Sequence, residues 1–116
     1  MALKLNMFSS YRREQGIAET LGERDPGNTD WQQDLLTSYE KLGSVYVLQG
    51  DVNGALSYYA KEQGIAESLA KRDPDNTDWQ WDLAVSYEKM GEVALEQGDG
   101  AKALASCLKA QASLRP

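Results

Sequence analysis

Histidine is missing from the 116 residues, and cysteine occurs once, at Cys107. The first absence removes imidazole as a general base, as a triad member and as a metal ligand. A single thiol closes no internal disulfide and builds no zinc site. Its place in an Ala/Leu stretch fits a small core residue in a reducing compartment. Cationic residues are scarce, 12 Lys and Arg against 18 Asp and Glu, for a net charge of −6. No basic run is long enough to grip a phosphate backbone, so nucleic acid and anionic membrane are poor partners. Nothing approaches ~18 consecutive apolar residues, and no membrane-spanning helix is expected. The first residues, Met1 to Phe8, lack the apolar core of about 7–15 residues that a secretory signal carries. A cytoplasmic setting is the expectation, and both ends read as cuts through a longer array.

What the chain does contain is itself, twice. Thr29-Asp30-Trp31-Gln32 returns as Thr77-Asp78-Trp79-Gln80, and Tyr39-Glu40-Lys41-Leu42-Gly43 as Tyr87-Glu88-Lys89-Met90-Gly91, both 48 residues on. Pairing 11–58 with 59–106 gives 29 identities in 48 positions. A period between about 20 and 50 residues marks a stacked repeat, in which each unit buries its apolar face against its neighbours. At this length the chain is a single domain spanning 1–116, large enough to bury roughly two thirds of its unfolded surface.

Taken in order, residues from about Leu3 to Glu23 read as a helix with Leu5, Phe8, Tyr11, Gln15, Ala18 and Leu21 on one side. Asp25-Pro26-Gly27-Asn28 stops it, because proline cannot continue a helix and its neighbours suit a turn. Thr29 then reads as an N-cap, with Gln32 completing a capping box. The next helix carries Trp31, Leu35, Tyr39, Leu42 and Tyr46 as one apolar stripe. Gln49-Gly50-Asp51 ends it, glycine accepting a left-handed conformation and Asp51 capping the helix that follows. That helix, Val52 to about Lys71, presents Ala55, Tyr59, Glu62, Ala66 and Leu69. Asp73-Pro74-Asp75-Asn76 breaks the chain again, Thr77 and Gln80 repeat the cap, and Trp79, Leu83, Tyr87, Met90 and Ala94 form the next stripe. A last helix runs from Ala101 to about Leu114. Five helices and no sheet are expected: an unpaired helix in 1–25, then pairs over 29–73 and 77–116. Gly16 and Gly64 fall inside helices, where glycine costs about 1 kcal/mol relative to alanine; close approach by another group is the reason expected, with the Trp31 or Trp79 ring as the candidate.

The segments Leu42-Gly43-Ser44-Val45-Tyr46, Gln49-Gly50-Asp51, Ala55-Leu56 and Tyr59 resemble the tetratricopeptide repeat. That family carries a Leu-Gly and a tyrosine on its first helix, and a small residue followed by an aromatic on its second. The later copy, Met90-Gly91, Gln97-Gly98-Asp99 and Ala103-Leu104, matches except that Ala94 and Cys107 stand where the family prefers aromatics. Tyr39 and Tyr87 occupy the place where it often has tryptophan. The period of 48 exceeds the family's unit of about 34 residues. The excess lies in an added turn holding Trp31 or Trp79 and in further turns through Ile65 to Leu69, as in a long-helix bacterial variant. The resemblance implies an all-α, antiparallel helix-hairpin solenoid, a tetratricopeptide-like superhelix.

Chemistry is harder to find. Gly50 and Gly98 lack the lysine and hydroxyl of a phosphate-binding loop, and acids such as Asp73 and Asp75 flank an exposed proline as turn residues. No catalytic residue, metal site or cofactor is expected. The resemblance implies instead a non-catalytic protein-protein interaction scaffold that takes a peptide in a concave groove lined by first helices. The lining would be Gln33, Thr37, Glu40, Ser44 and Val47, then Trp81, Val85, Glu88, Glu92 and Leu95. Core positions barely differ between the copies whereas this face does: Gln33 becomes Trp81, Thr37 becomes Val85 and Ser44 becomes Glu92. A tryptophan among acids suits a peptide with a basic residue. The bland alternative makes Glu88, Glu92 and Glu96 a solvated strip and packs Trp81 against a neighbouring helix. Self-association competes, since uncapped terminal helices leave Leu3, Leu5 and Phe8 at one end and Leu104, Leu108 and Leu114 at the other, favouring dimers or end-to-end homo-oligomers.

Overall fold

The computed structural model describes Arg13, Gly16, Glu19, Glu23 to Asp25 and residues 27–114. Four helices follow one another: α1 (Thr29–Leu48), α2 (Val52–Arg72), α3 (Thr77–Glu96) and α4 (Gly100–Ser113). Arg13, Gly16, Glu19, Glu23 and Arg24 are also helical. The remainder of the expected first helix, with Leu3, Leu5 and Phe8, lies outside the described residues. Among the described residues there is no strand, and no helix is long and apolar enough to cross a membrane.

Each helix packs on the next in sequence, α1 on α2, α2 on α3 and α3 on α4. The molecule is a slab of 45 × 39 × 17 Å, two helices deep at a helix diameter of about 10 Å. Its core comes from the apolar stripes. Leu35, Tyr39 and Leu42 of α1 are buried, as are Ala55, Tyr59, Glu62, Ala66 and Leu69 of α2. One flank of α2 covers α1, with Tyr58 and Ile65 packed on Leu35 and Tyr39. Its other flank meets α3: Leu69 sits with Leu36, Ala66, Trp79 and Leu83, while Ala55 and Tyr59 meet Val93 and Met90.

The turns work by the same device twice. Gly50 and Gly98 have φ of 77° and 79°, the left-handed conformation that glycine enters without a side-chain clash. The backbone N–H groups of Asp51 and Gly50 then reach back to the Tyr46 and Val47 carbonyls, closing α1 with a Schellman-type end. Asp51 and Asp99 cap α2 and α4 through the amides of Gly54 and Lys102.

Four expectations need correction. The N-caps of α1 and α3 are Asn28 and Asn76, whose side chains accept from the Trp31 and Trp79 amides, while Thr29 and Thr77 already belong to the helices. Gln80 closes no capping box; its amide donates to the Ala70 and Pro74 carbonyls and ties α3 to the end of α2. Gly16 and Gly64 face open space, with nothing within 4 Å of an added methyl. The close approaches are elsewhere. The Tyr59 ring lies against Gly43, and the Tyr46 ring would be 2.7 Å from a methyl on Gly54, so α1 and α2 each offer a glycine to the other's tyrosine. Finally, Cys107 is exposed and not a core residue, although its sulfur lies on the side of α4 toward Gly91 of α3.

Candidate functional site

The two sets of residues expected on the binding face behave differently. On α1, Gln33 donates from Nε2 to Asp82 Oδ2 of α3 at 3.1 Å. Glu40 pairs with Lys89 of α3 at 2.5 Å. Val47 packs on the cluster of Ala55, Tyr59 and Val93. These three residues join α1 to its neighbours, and Thr37 and Ser44 are the exposed pair between them. Thr37 donates its hydroxyl to the Gln33 carbonyl, and the Ser44 hydroxyl lies 3.2 Å from that of Tyr59.

On α3 the corresponding face is open. Trp81 is 59% exposed and Leu95 62%; Glu88 and Glu92 are exposed and Val85 is half-buried. Spacings of four, three, four and three place all five on one side of the helix. Trp81 is therefore not absorbed by a neighbouring helix in this chain. The same repeat position is a bridge in the first copy and a free surface in the second.

Between the two faces lies a polar floor to which the sequence assigned no role. Glu62 of α2 is 1% exposed, and its carboxyl is pushed up to about 7. Burial is the main cause. Glu40 and Asp82 add to it, and the cation of Lys89 opposes it. Oε1 of Glu62 and Oε1 of Gln33 are buried without a hydrogen-bond partner among the described residues. The Lys89 ammonium also sits 5.6 Å from the centre of the Tyr59 ring. The available signal was an acid on the apolar stripe Ala55, Tyr59, Ala66, Leu69. Its neighbours arrive from two other helices and leave no trace in the local pattern.

On the opposite flank of the first helices, Tyr39 donates to Glu19 and Tyr87 to Glu67, the latter at 2.8 Å. The bond recurs at the 48-residue period. Burial first, and the acceptor carboxylate second, push Tyr87 up to about 12 and raise Tyr39 further. Glu67 is held below the ordinary carboxylate range by hydrogen bonds from Gln63 and Tyr87.

Among the described residues no group of three or more acids or thiols is arranged to hold a metal ion. Comparison with protein-family models, with curated proteins and with solved structures gave no match in any of the three.

Proposed function

We propose that this chain is a non-catalytic interaction scaffold of the tetratricopeptide-like solenoid type, whose first helices hold a peptide or protein segment bearing a basic residue. The observation that carries this reading is the open face of α3, where Trp81, 59% exposed, shares one side with Glu88, Glu92 and Leu95. An exposed indole costs free energy in water unless something covers it, and an Arg or Lys stacked on it while paired with carboxylates gains both cation–π and charge terms. Thr37 and Ser44 extend the same surface across α1 with hydroxyls suited to a peptide backbone. The helical segment before Asp25 adds the second-type helix of a preceding unit. The setting consistent with one exposed thiol and no disulfide is the cytoplasm.

The test is the double substitution Trp81→Ala with Glu92→Lys. A partner captured from the native host by wild type should bind the variant at least about tenfold more weakly, with far-UV circular dichroism unchanged. Binding that survives the double change removes the groove from consideration; a loss of helical signal would show that Trp81 supports the fold.

Self-association is the second reading, favoured by Leu104 and Leu108 of α4 and by Leu114 at its C-cap, which are 62%, 57% and 47% exposed. Light scattering across a concentration series decides it. A mass that rises with concentration, and stays monomeric in Leu104→Glu with Leu108→Glu, supports assembly through this end; a constant monomer mass rules it out.

A further inference from the structure

Two polar bridges cross from α1 to α3, Gln33 to Asp82 and Glu40 to Lys89, and a carboxyl group that neither bridge uses faces them from α2. Each first helix packs on α2 rather than on the other, and Glu62 of α2 is 1% exposed. Packing does not ask for an acid there. The same position 48 residues on is Ala110, which is buried too, at 3%.

The charged groups facing Glu62 are Glu40 from α1, and Asp82 and Lys89 from α3; on α2 itself, Tyr59 lies one turn before. Lys89 is thus a cation within reach of two acids on different helices. It is seated on Glu40 at 2.5 Å, its side chain 18% exposed and that of Glu40 41%. The ammonium lies 5.6 Å from the centre of the Tyr59 ring, on a flexible four-carbon stem that pivots without moving either helix. Oε1 of Glu62 has no hydrogen-bond donor among the described residues, so a second acceptor stands open.

The charge on Glu62 decides between the two seats. A carboxylate buried without a counter-ion is strongly disfavoured, and burial has pushed this acid up to about 7. Once its proton leaves to solvent, Glu62 is the better buried of the two anions, and its attraction for Lys89 is less screened by water than that of Glu40. Lys89 stays an ammonium throughout.

We infer that Lys89 is an exchangeable clasp: seated on Glu40 while Glu62 is protonated, and drawn onto Glu62 when it ionises, which uncovers Glu40 as the seat in the groove for a partner's basic side chain. This deepens the scaffold reading and rests on it only in the last step. With the clasp on Glu40, the chain fills the seat with its own cation. With the clasp withdrawn, the face carrying Thr37 and Ser44 gains a free carboxylate. The fraction able to capture a cation rises from about one tenth to about nine tenths between one pH unit below the Glu62 midpoint and one above, and apparent affinity scales with that fraction.

The exchange is read by NMR on the full chain with no partner present. From about pH 5.5 to 8.5, nuclear Overhauser contacts of the Lys89 Hε protons should pass from Glu40 Hγ to Glu62 Hγ, at the midpoint of the Glu62 carboxyl titration. In Glu62→Gln the contact with Glu40 should persist across the range. The seat is then read with the blocked tripeptide acetyl-Ala-Lys-Ala-amide, followed at the Glu40 carboxyl carbon. Wild type should bind it about tenfold more tightly at pH 8 than at pH 6. Glu62→Gln should bind weakly at both, and Lys89→Met, which empties the seat but keeps an apolar stem over Tyr59, should bind tightly at both. A Lys89–Glu40 contact that persists in wild type at the alkaline end overturns the clasp, as does exchange that continues in Glu62→Gln. Exchange without pH-dependent peptide binding, or weak binding by Lys89→Met, overturns Glu40 as the seat. The first arm uses no partner and neither arm involves Trp81, so failure here and failure of the scaffold reading in its own test are separate results.

Discussion

Glu62 is a carboxyl group held 1% exposed beneath Lys89, Glu40 and Asp82, with an ionisation moved from 4.5 to about 7. Its folded value is the higher one, so the native state holds the proton more tightly than the unfolded chain. The resulting stability is fully present below pH about 4.5 and is lost as pH rises through 7. The separation corresponds to on the order of 3 kcal/mol. Denaturant midpoints of wild type should therefore fall from pH 5 to pH 8, and those of Glu62→Gln should fall much less; an unchanged slope in the variant would assign the effect to other groups. The place of Glu62 on the stripe with Tyr59 and Ala66 is legible from spacing alone. Its titration is not, because the neighbours that set it lie on α1 and α3, 20 or more positions away. Gly64 carries a related lesson: a helical glycine reads as a sign of close approach, yet space beside it is open, whereas Gly43 meets the Tyr59 ring. Sequence marks which residues lack a side chain, and only packing shows which of them use the room.

At the scale of the element, helix ends were the part most exposed to misreading. Asn28 and Thr29 are adjacent and both good caps, so one residue of register separates two local solutions, and Asn28 takes the role because its Oδ1 meets the Trp31 amide at 3.2 Å. The measurable consequence is an asymmetry. Asn28→Ala and Asn76→Ala should each cost about 1 kcal/mol in equilibrium unfolding, while Thr29→Ala and Thr77→Ala stay within about 0.5 kcal/mol of wild type; the reverse order would restore threonine as the cap. Helix existence, the stripes Leu35–Tyr39–Leu42 and Ala55–Tyr59–Ala66–Leu69, and the glycine turns followed from periodicity, because they depend on residues within a few turns. The bridges Gln33 to Asp82 and Glu40 to Lys89 did not. They span 49 positions, one more than the period, and so join residues that the repeat does not align.

For the whole molecule, the internal duplication sets what is legible: the helices, apolar stripes and glycine turns that both copies share can be read from the sequence, and features that depend on what lies beside a copy cannot. Trp81 and Gln33 hold the same position, yet one faces solvent and the other is tied to α3. The paired phenols show what that periodic design brings with it. Tyr39 and Tyr87 each donate to a carboxylate on the preceding helix, so neither ring ionises at the pH where an unfolded tyrosine would. The stability they confer is whole below pH about 10 and fades as alkalinity passes through about 12 for Tyr87 and higher still for Tyr39. Phenolate absorbance during an alkaline titration is consequently an optical gauge of whether neighbouring helices remain docked. Two rings should appear late and together with the loss of helical signal in wild type, and one of them earlier than in wild type, with the helices intact, once Glu67 is replaced by alanine.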